Sequence, residues 1–190
     1  GIDFRYYKGL HKNVITDLFG GQYYVDSYNR KTVLAENSQN GGVASWVNQK
    51  LGVGDVIRRD YDGFVMYEGG FAQLEYNKDK VSAFVSGGLT NTSYWRKDRF
   101  YYSGDKQVSS KKHYLGGNVK AGLNYNLDEY NNVFFNTGFI SRAPIFDNTF
   151  INSQSSHERN PDAKNEKVYS FELGYGYRSH YFTANVNAYY

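Results

Sequence analysis

Cysteine is absent from the 190 residues, methionine occurs once and proline twice. Without a thiol there is no disulfide scaffold and no thiolate metal site, and the lack says little about compartment, because many exported bacterial proteins contain none. No run approaches the ~18 consecutive apolar residues of a transmembrane helix. Neither sign of charge dominates: 22 Lys and Arg stand against 19 Asp and Glu, giving a mild net charge of +3 and a pI near 8.8. That balance does not by itself imply nucleic acid. Gly1 to Leu10 shows no basic region followed by an apolar core, so no signal peptide is read there. An exported protein would have lost it.

Aromatic residues and glycine are abundant, with 20 Tyr, 13 Phe and 20 Gly, and they fall into a period of two. Tyr169, Phe171, Leu173, Tyr175 and Tyr177 alternate with Ser170, Glu172, Gly174, Gly176 and Arg178. After Ser179 and His180, Phe182, Ala184, Val186, Ala188 and Tyr190 alternate with Thr183, Asn185, Asn187 and Tyr189. Such alternation predicts strands. A second hairpin is predicted from Leu115 to Leu127 and from Val133 to Phe139, joined by Asp128 to Asn131. A third joins Phe71 to Tyr76 with Val81 to Leu89 through Asn77 to Lys80; Val81, Ala83, Val85 and Leu89 share a face that Phe84 interrupts.

One face of these strands is apolar and aromatic, the other polar and rich in glycine. A soluble sandwich would bury the apolar face against a second sheet. A membrane barrel would turn it outward to lipid and the polar face inward to a wet lumen. The tight turns fall near residues 78, 130 and 179, about 50 residues apart, which leaves room for two strands of the ~9–11 residues a tilted membrane strand needs, plus a long loop. Short turns at one end and long loops at the other mark outer-membrane barrels. The mean hydropathy of −0.69 fits, because a barrel strand needs apolar side chains only at alternate positions. Tyr76, Tyr125, Tyr175 and Tyr177 all fall near short-turn ends, where a tyrosine girdle belongs.

Gly1 to Tyr7 reads as one extended strand. Asn13 to Gly21 resembles a short helix, with Asn13 as cap and Gly20 as stop, and Val43 to Leu51 a second one ended by Gly52. Residues 13 to about 60 are expected to form one very long loop, a length that usually carries function. The other long connections are placed at about 95–112 and 143–165.

The last of these carries a resemblance. Ser141-Arg142-Ala143-Pro144, then Phe146 to Phe150, then Asn160-Pro161-Asp162-Ala163-Lys164-Asn165-Glu166-Lys167, then Tyr169-Ser170-Phe171-Glu172-Leu173-Gly174-Tyr175 resembles the C-terminal barrel signature of TonB-dependent outer-membrane receptors. In that family an Arg-x-Pro motif leaves one strand, an Asn-Pro-x-Leu-x-Pro-Glu motif enters the next, and a Glu-x-Gly pair lies within it. Arg142, Pro144, Asn160, Pro161, Glu166, Glu172 and Gly174 match; Ala163 and Asn165 depart, standing where the family usually has Leu and often has Pro. Gly116 to Tyr125 and Phe134 to Pro144 also look like receptors from Bacteroidetes-type bacteria.

The resemblance implies an all-β, antiparallel up-and-down fold, part of a 22-stranded transmembrane barrel in the outer membrane of a Gram-negative bacterium, with residues 1–190 as one partial barrel domain. It implies energy-coupled uptake of a scarce ligand: an iron chelate, haem, cobalamin, a glycan or a peptide. Energy would come from the TonB complex through a plug domain that this sequence does not contain. Six clear strands and a possible seventh leave two open edges, which cannot persist in lipid, so the chain is expected to be a piece of a larger barrel. In the receptor, Lys120, Glu172 and Arg178 face the lumen, where hydration, mutual pairing and plug contact are alternative readings.

Catalytic and metal motifs are wanting, and no enzyme or cofactor is expected. His157-Glu158 lacks the second His of a zinc-protease helix, whose position Pro161 occupies, and His11, His113, His157 and His180 are scattered. Asp60-Tyr61-Asp62-Gly63 with Glu68 lacks the register of a calcium loop and reads as a turn opening a strand. Gly52-Val53-Gly54 is a turn. The interleaved stretch Tyr94 to Tyr102 supplies the ligand-contact candidates Trp95, Arg96 and Arg99. Single-stranded nucleic acid, a lipopolysaccharide or ligand contact, and a plain solvated strand end all stand as readings, and no nucleic acid is the expectation. Tyr23, Tyr24 and Trp46 in the first long loop are further stacking candidates. Another outer-membrane barrel, a porin or adhesin, and a soluble carbohydrate-binding β-sandwich remain the alternatives to the receptor.

Overall fold

The computed structural model describes residues 1–25, 50–102 and 104–190. They form one antiparallel sheet of seven strands in sequence order: β1 (Ile2–Val14), β2 (Val56–Lys78), β3 (Val81–Asp98), β4 (Lys112–Asn126), β5 (Asn131–Arg142), β6 (Glu166–Arg178) and β7 (Thr183–Tyr189). Every neighbouring pair is up-and-down, and β1 and β7 are the two free edges of an open sheet. Among the described residues the only helical turns are two four-residue 3-10 segments, Gly104–Gln107 and Phe146–Thr149.

Register fixes which residues share a side, because directly paired residues point the same way. Tyr76, Ala83, Leu123, Phe135, Leu173 and Ala188 form one continuous row. Lys78, Val81, Tyr125, Val133, Tyr175 and Val186 form the row beside the short turns. The apolar residues thus share one face across the sheet, and no second sheet covers them among the described residues. Leu123 is 49% exposed, Phe171 47% and Val186 70%, while Asn124 and Glu172 on the other face are half-buried.

That polar face holds a groove of about 500 Å³ bordered by Gln73, Glu75, Phe84, Asn124, Phe134 and Asn136. Phe84, which interrupts the apolar pattern, sits opposite Gly122 with its ring over the glycine, and Phe134 does the same to Gly174. Each glycine leaves the space that a cross-strand ring occupies, so a lone Phe on the polar face is packed rather than wasted.

Two expectations are corrected. Residues 13–21 are not helical: β1 runs on to Val14, paired with Val56, and Ile15 N–H donates to Asp55 O at 2.9 Å. The β-branched run Val14, Ile15 and Thr16 favours this extended course, and Phe19 and Gly20 then turn with positive φ. The first connection is accordingly 15–55. Asp60 to Gly63 is not a turn but part of β2, which starts at Val56 rather than near Phe71. The other proposed helix, Val43 to Leu51, lies outside the described residues except for Lys50 and Leu51; Leu51 forms an extended bridge with Tyr24.

Candidate functional site

β1, β2 and β3 run on past β4 at the long-loop end, where Val14 pairs with Val56 while β4 begins only opposite Tyr94, and there the loops fold over the polar face. Strand alternation sends Tyr94, Arg96 and Asp98 to that face and Trp95 and Lys97 to the other. Arg96 is completely buried. Its Nη2 donates to Asp98 Oδ2 at 2.5 Å, and its Nη1 donates to the carbonyl oxygens of Ser156 at 2.7 Å and Asn152 at 3.4 Å. The guanidinium lies 4.3 Å from the Tyr61 ring centre. Asp98 Oδ1 accepts from the backbone N–H groups of Phe100 and Tyr101, both at 2.8 Å, which turns the chain out of β3. One ion pair therefore ties the end of β3 to both long loops.

Around it, aromatic rings close a small core. Tyr94 OH donates to Pro144 O at 2.8 Å, and its ring meets Tyr114 and Phe146. Phe146 reaches across the sheet to lie over Gly63 of β2. Arg159 rests 4.3 Å above Phe150 and donates to the Ser110 carbonyl; burial pushes its pKa down. His157 stacks on Tyr102 with centroids 3.8 Å apart, and its Nε2–H donates to the carbonyls of Lys106 and Gln107 at 3.0 and 3.1 Å. Burial first, and the Arg96 charge second, pull the His157 pKa down to about 4, so this ring is neutral at pH 7.

On the opposite, outward side the same strand end is charged. Arg99 clamps Asp60 and Asp62 with four hydrogen bonds of 2.7–3.1 Å, and these carboxylates raise its pKa. Lys8 Nζ lies 3.2 Å from Asp62 and Lys12 Nζ 3.8 Å from Asp60. Trp95 stacks on Phe64, 5.1 Å apart at 4°, with Tyr6 at 6.1 Å and the Lys111 ammonium 4.5 Å above the indole.

Of the ligand-contact candidates, Trp95 and Arg99 stand on the outward side, whereas Arg96 presents nothing to the surface. Alternate residues of Tyr94 to Arg99 take opposite faces, so the sequence cluster is not one patch. Tyr23 is exposed with Lys50 Nζ 4.8 Å from its ring. Tyr24 pairs with Leu51. Trp46 lies outside the described residues. No family model and no curated protein matches the chain.

The signature residues stand in local structural roles. Arg142 faces Glu166 across the β5–β6 ladder and pairs with it at 2.6–2.7 Å. Asn160 Oδ1 accepts from Asp162 N–H at 3.0 Å around Pro161, and its Nδ2 donates to Asn148 O at 3.0 Å. This is an Asx turn with the proline at its corner. Asn165, where the family often has Pro, donates to Leu115 O and Ser141 Oγ at 2.6 and 3.0 Å, bonds a proline could not make. Glu172 accepts from Asn136 and Asn187 at 2.9 and 3.0 Å, and Lys120 and Arg178 share its face. The sequence reading named Asp98, Asp60, Asp62 and Phe146 but gave none of them its role here, as partners of Arg96, Arg99 and the Tyr94 ring. For Asp98 a signal existed: an Asp at a strand end, followed by backbone N–H groups to satisfy, favours a turn.

Proposed function

We propose that the chain is part of the wall of a TonB-dependent outer-membrane receptor, a 22-stranded barrel that takes up a scarce ligand with energy delivered through a plug domain outside this sequence. The observation that carries the membrane assignment is the exposed apolar face over the short-turn half of the sheet, with Leu74, Leu89, Leu123, Leu173 and Val186 all outward. Monomeric soluble proteins rarely expose apolar patches beyond a few hundred Å².

Depth agrees with it. Ala83 lies in the row of Tyr76, and Trp95 lies further along the same face of β3. At ~3.3 Å per residue they are about 40 Å apart along the strand, or about 28 Å in depth at a ~45° tilt. The separation is close to that between the two aromatic girdles of an outward band of ≈ 25 Å; within it Glu68 and Asn91 bond to each other at 3.0 Å and Ser93 to His113 at 2.8 Å. The receptor assignment within membrane barrels rests on the Arg142 to Gly174 signature. The asparagine-lined polar face suits a wet interior, and no catalytic role is assigned to it. Ligand contact from Tyr23, Tyr24, Trp46, Trp95 or Arg99 is part of the proposal, with Trp95 and Arg99 better suited to the barrel's exterior.

The test of the faces pairs two substitutions in the full-length protein. Leu123→Arg is expected to cost about 2–4 kcal/mol of folding stability in bilayers if the residue lies mid-membrane, and Asn124→Arg far less; equal costs would overturn the assignment. Uptake separates a receptor from a passive porin or adhesin. Ligand-dependent growth that survives loss of the energy-transducing partner would favour the porin.

A further inference from the structure

We propose that the loops folded over the polar face at the long-loop end hold one small monovalent anion, of the halide class, between the guanidinium groups of Arg159 and Arg96. The inference concerns these loops alone and stands whether or not the apolar face meets lipid.

Unpaired donors are the first reason. Arg159 Nε and Nη1 and Arg96 Nε are enclosed and meet no hydrogen-bond partner. Arg96 is completely buried, and its two Nη atoms are engaged by Asp98 and by the Ser156 and Asn152 carbonyls. Arg159 engages Nη2 alone, with the carbonyls of Tyr94 and Ser110. A guanidinium carries donors and no acceptor, so whatever satisfies the remaining atoms must accept. The two groups converge on one ring: their central carbons lie 4.3 Å (Arg159) and 5.8 Å (Arg96) from the centre of Phe150. The Tyr114 hydroxyl, buried and also without a partner, acts electrostatically on Arg159 and can turn its O–H toward an anion.

Charge is the second reason, and it chooses an anion over a water molecule. Among the described residues Asp98 is the carboxylate buried beneath these loops, and it is already committed, with Oδ2 on Arg96 and Oδ1 on the Phe100 and Tyr101 N–H groups. Arg159 enters no ion pair among the described residues. His157 is neutral at pH 7, so one positive charge is left over. Water could satisfy the hydrogen bonds but would leave that charge uncompensated in an enclosed core, which is costly. A monovalent anion accepts from the unpaired donors and cancels the surplus, whereas a divalent one would reverse it. An ion held there joins three segments, Arg96 from β3, Tyr114 from β4 and Arg159 from the 143–165 connection. Closure of the loops over the polar face then depends on an anion supplied by the medium.

The experiment compares hydrogen exchange of residues 151–160 in the full-length protein in sodium chloride and in sodium gluconate, a bulky organic anion, at equal ionic strength. Exchange is expected to be about tenfold slower at a chloride concentration ten times the dissociation constant, because a ligand that binds only the closed form lowers opening in proportion to its saturation. Bromide should act as chloride does, and its anomalous scattering should place it beside Arg159. Arg159→Met keeps an unbranched stem on Phe150 and removes the charge; the two salts should then give the same exchange. Lys78→Gln, at the short-turn end, should keep the full chloride effect. Equal exchange of the wild type in both salts would mean buried water only and would overturn the inference, as would an undiminished chloride effect in Arg159→Met or a bromide site elsewhere. Should Arg159→Met not fold, the wild-type salt comparison and the bromide position decide. None of these outcomes bears on the membrane reading, which the Leu123 and Asn124 substitutions test.

Discussion

The two ends of the sheet use the same strands and are held together by different physics. At the short-turn end both faces are open: tyrosines and aliphatics stand on one side, and an asparagine network with glycines stands on the other, with Asn124, Asn126 and Asn132 bonded to one another at 2.6–3.0 Å. Little there is buried except the ladder itself, so cohesion comes from backbone hydrogen bonds and from whatever medium meets the apolar side. At the long-loop end the polar face is roofed by residues 99–102, 104–111 and 143–165, and the roof has its own core of rings around a fully buried ion pair. Charge at one end is solvated and cheap to alter; at the other it is enclosed and expensive to leave unpaired.

Breaking the enclosed pair should have the largest effect. Asp98→Ala leaves the Arg96 guanidinium buried without its carboxylate and removes the acceptor of the Phe100 and Tyr101 N–H groups. A loss of about 3–5 kcal/mol is expected from an uncompensated buried charge, concentrated in the roof. Hydrogen exchange should report it as lost protection in residues 143–165. The exposed pair Arg142–Glu166 supplies the contrast. Arg142→Ala should cost no more than ~1 kcal/mol, because solvent screens both partners. Equal losses in the two variants would mean that enclosure does not distinguish them.

A smaller effect tests the open end. In Gly122→Ala the added Cβ meets the Phe84 ring and the Asn136 side chain, and overpacking of this kind costs about 1–3 kcal/mol. Phe84→Ala in the same chain removes the clash, so the double variant should lose less than the two single variants summed. Strictly additive losses, measured by denaturant unfolding, would show that ring and glycine are not packed as a unit.

The same contrast explains which parts could be read from the sequence. Strict alternation survives where each face meets one environment, as in Leu115 to Leu127 and Tyr169 to Arg178, and there strands and faces were legible. It fails in the first half of β2, where Tyr61, Val65 and Tyr67 face the polar side while Phe64 and Met66 face the other. Phe146 and its loop cover part of that polar side, and an apolar residue on each face erases the period of two. The strand was consequently begun some 15 residues late. The roof was illegible for a related reason: its contacts join residues 50 and 60 positions apart, as in Tyr94 with Pro144 and Arg96 with Ser156, and no local pattern announces them. Tyr94 to Tyr102 looked like one basic-aromatic patch because spacing along the chain says nothing of sides until a strand is assigned.

A last test uses pH and acts on the roof alone. His157 donates from Nε2 to two carbonyls, which leaves Nδ1 as the site a second proton would take; that atom is buried without a partner, and Arg96 and Arg159 stand nearby with like charge. Its folded pKa of about 4 lies below the ordinary imidazole value of 6.5, so between those values the unfolded roof binds more protons than the folded one. Stability of the roof is therefore full above pH 6.5, falls as the pH drops toward 4, and levels off below that. Replacing the titrating group should flatten this window: in His157→Phe, which keeps a ring to stack on Tyr102, protection of residues 143–165 should no longer decline between pH 6.5 and 4. The open end should be flat in both proteins with respect to this group. An undiminished decline in His157→Phe would assign the pH sensitivity to carboxylates instead, and a decline of equal size at the short-turn end would place it outside the roof.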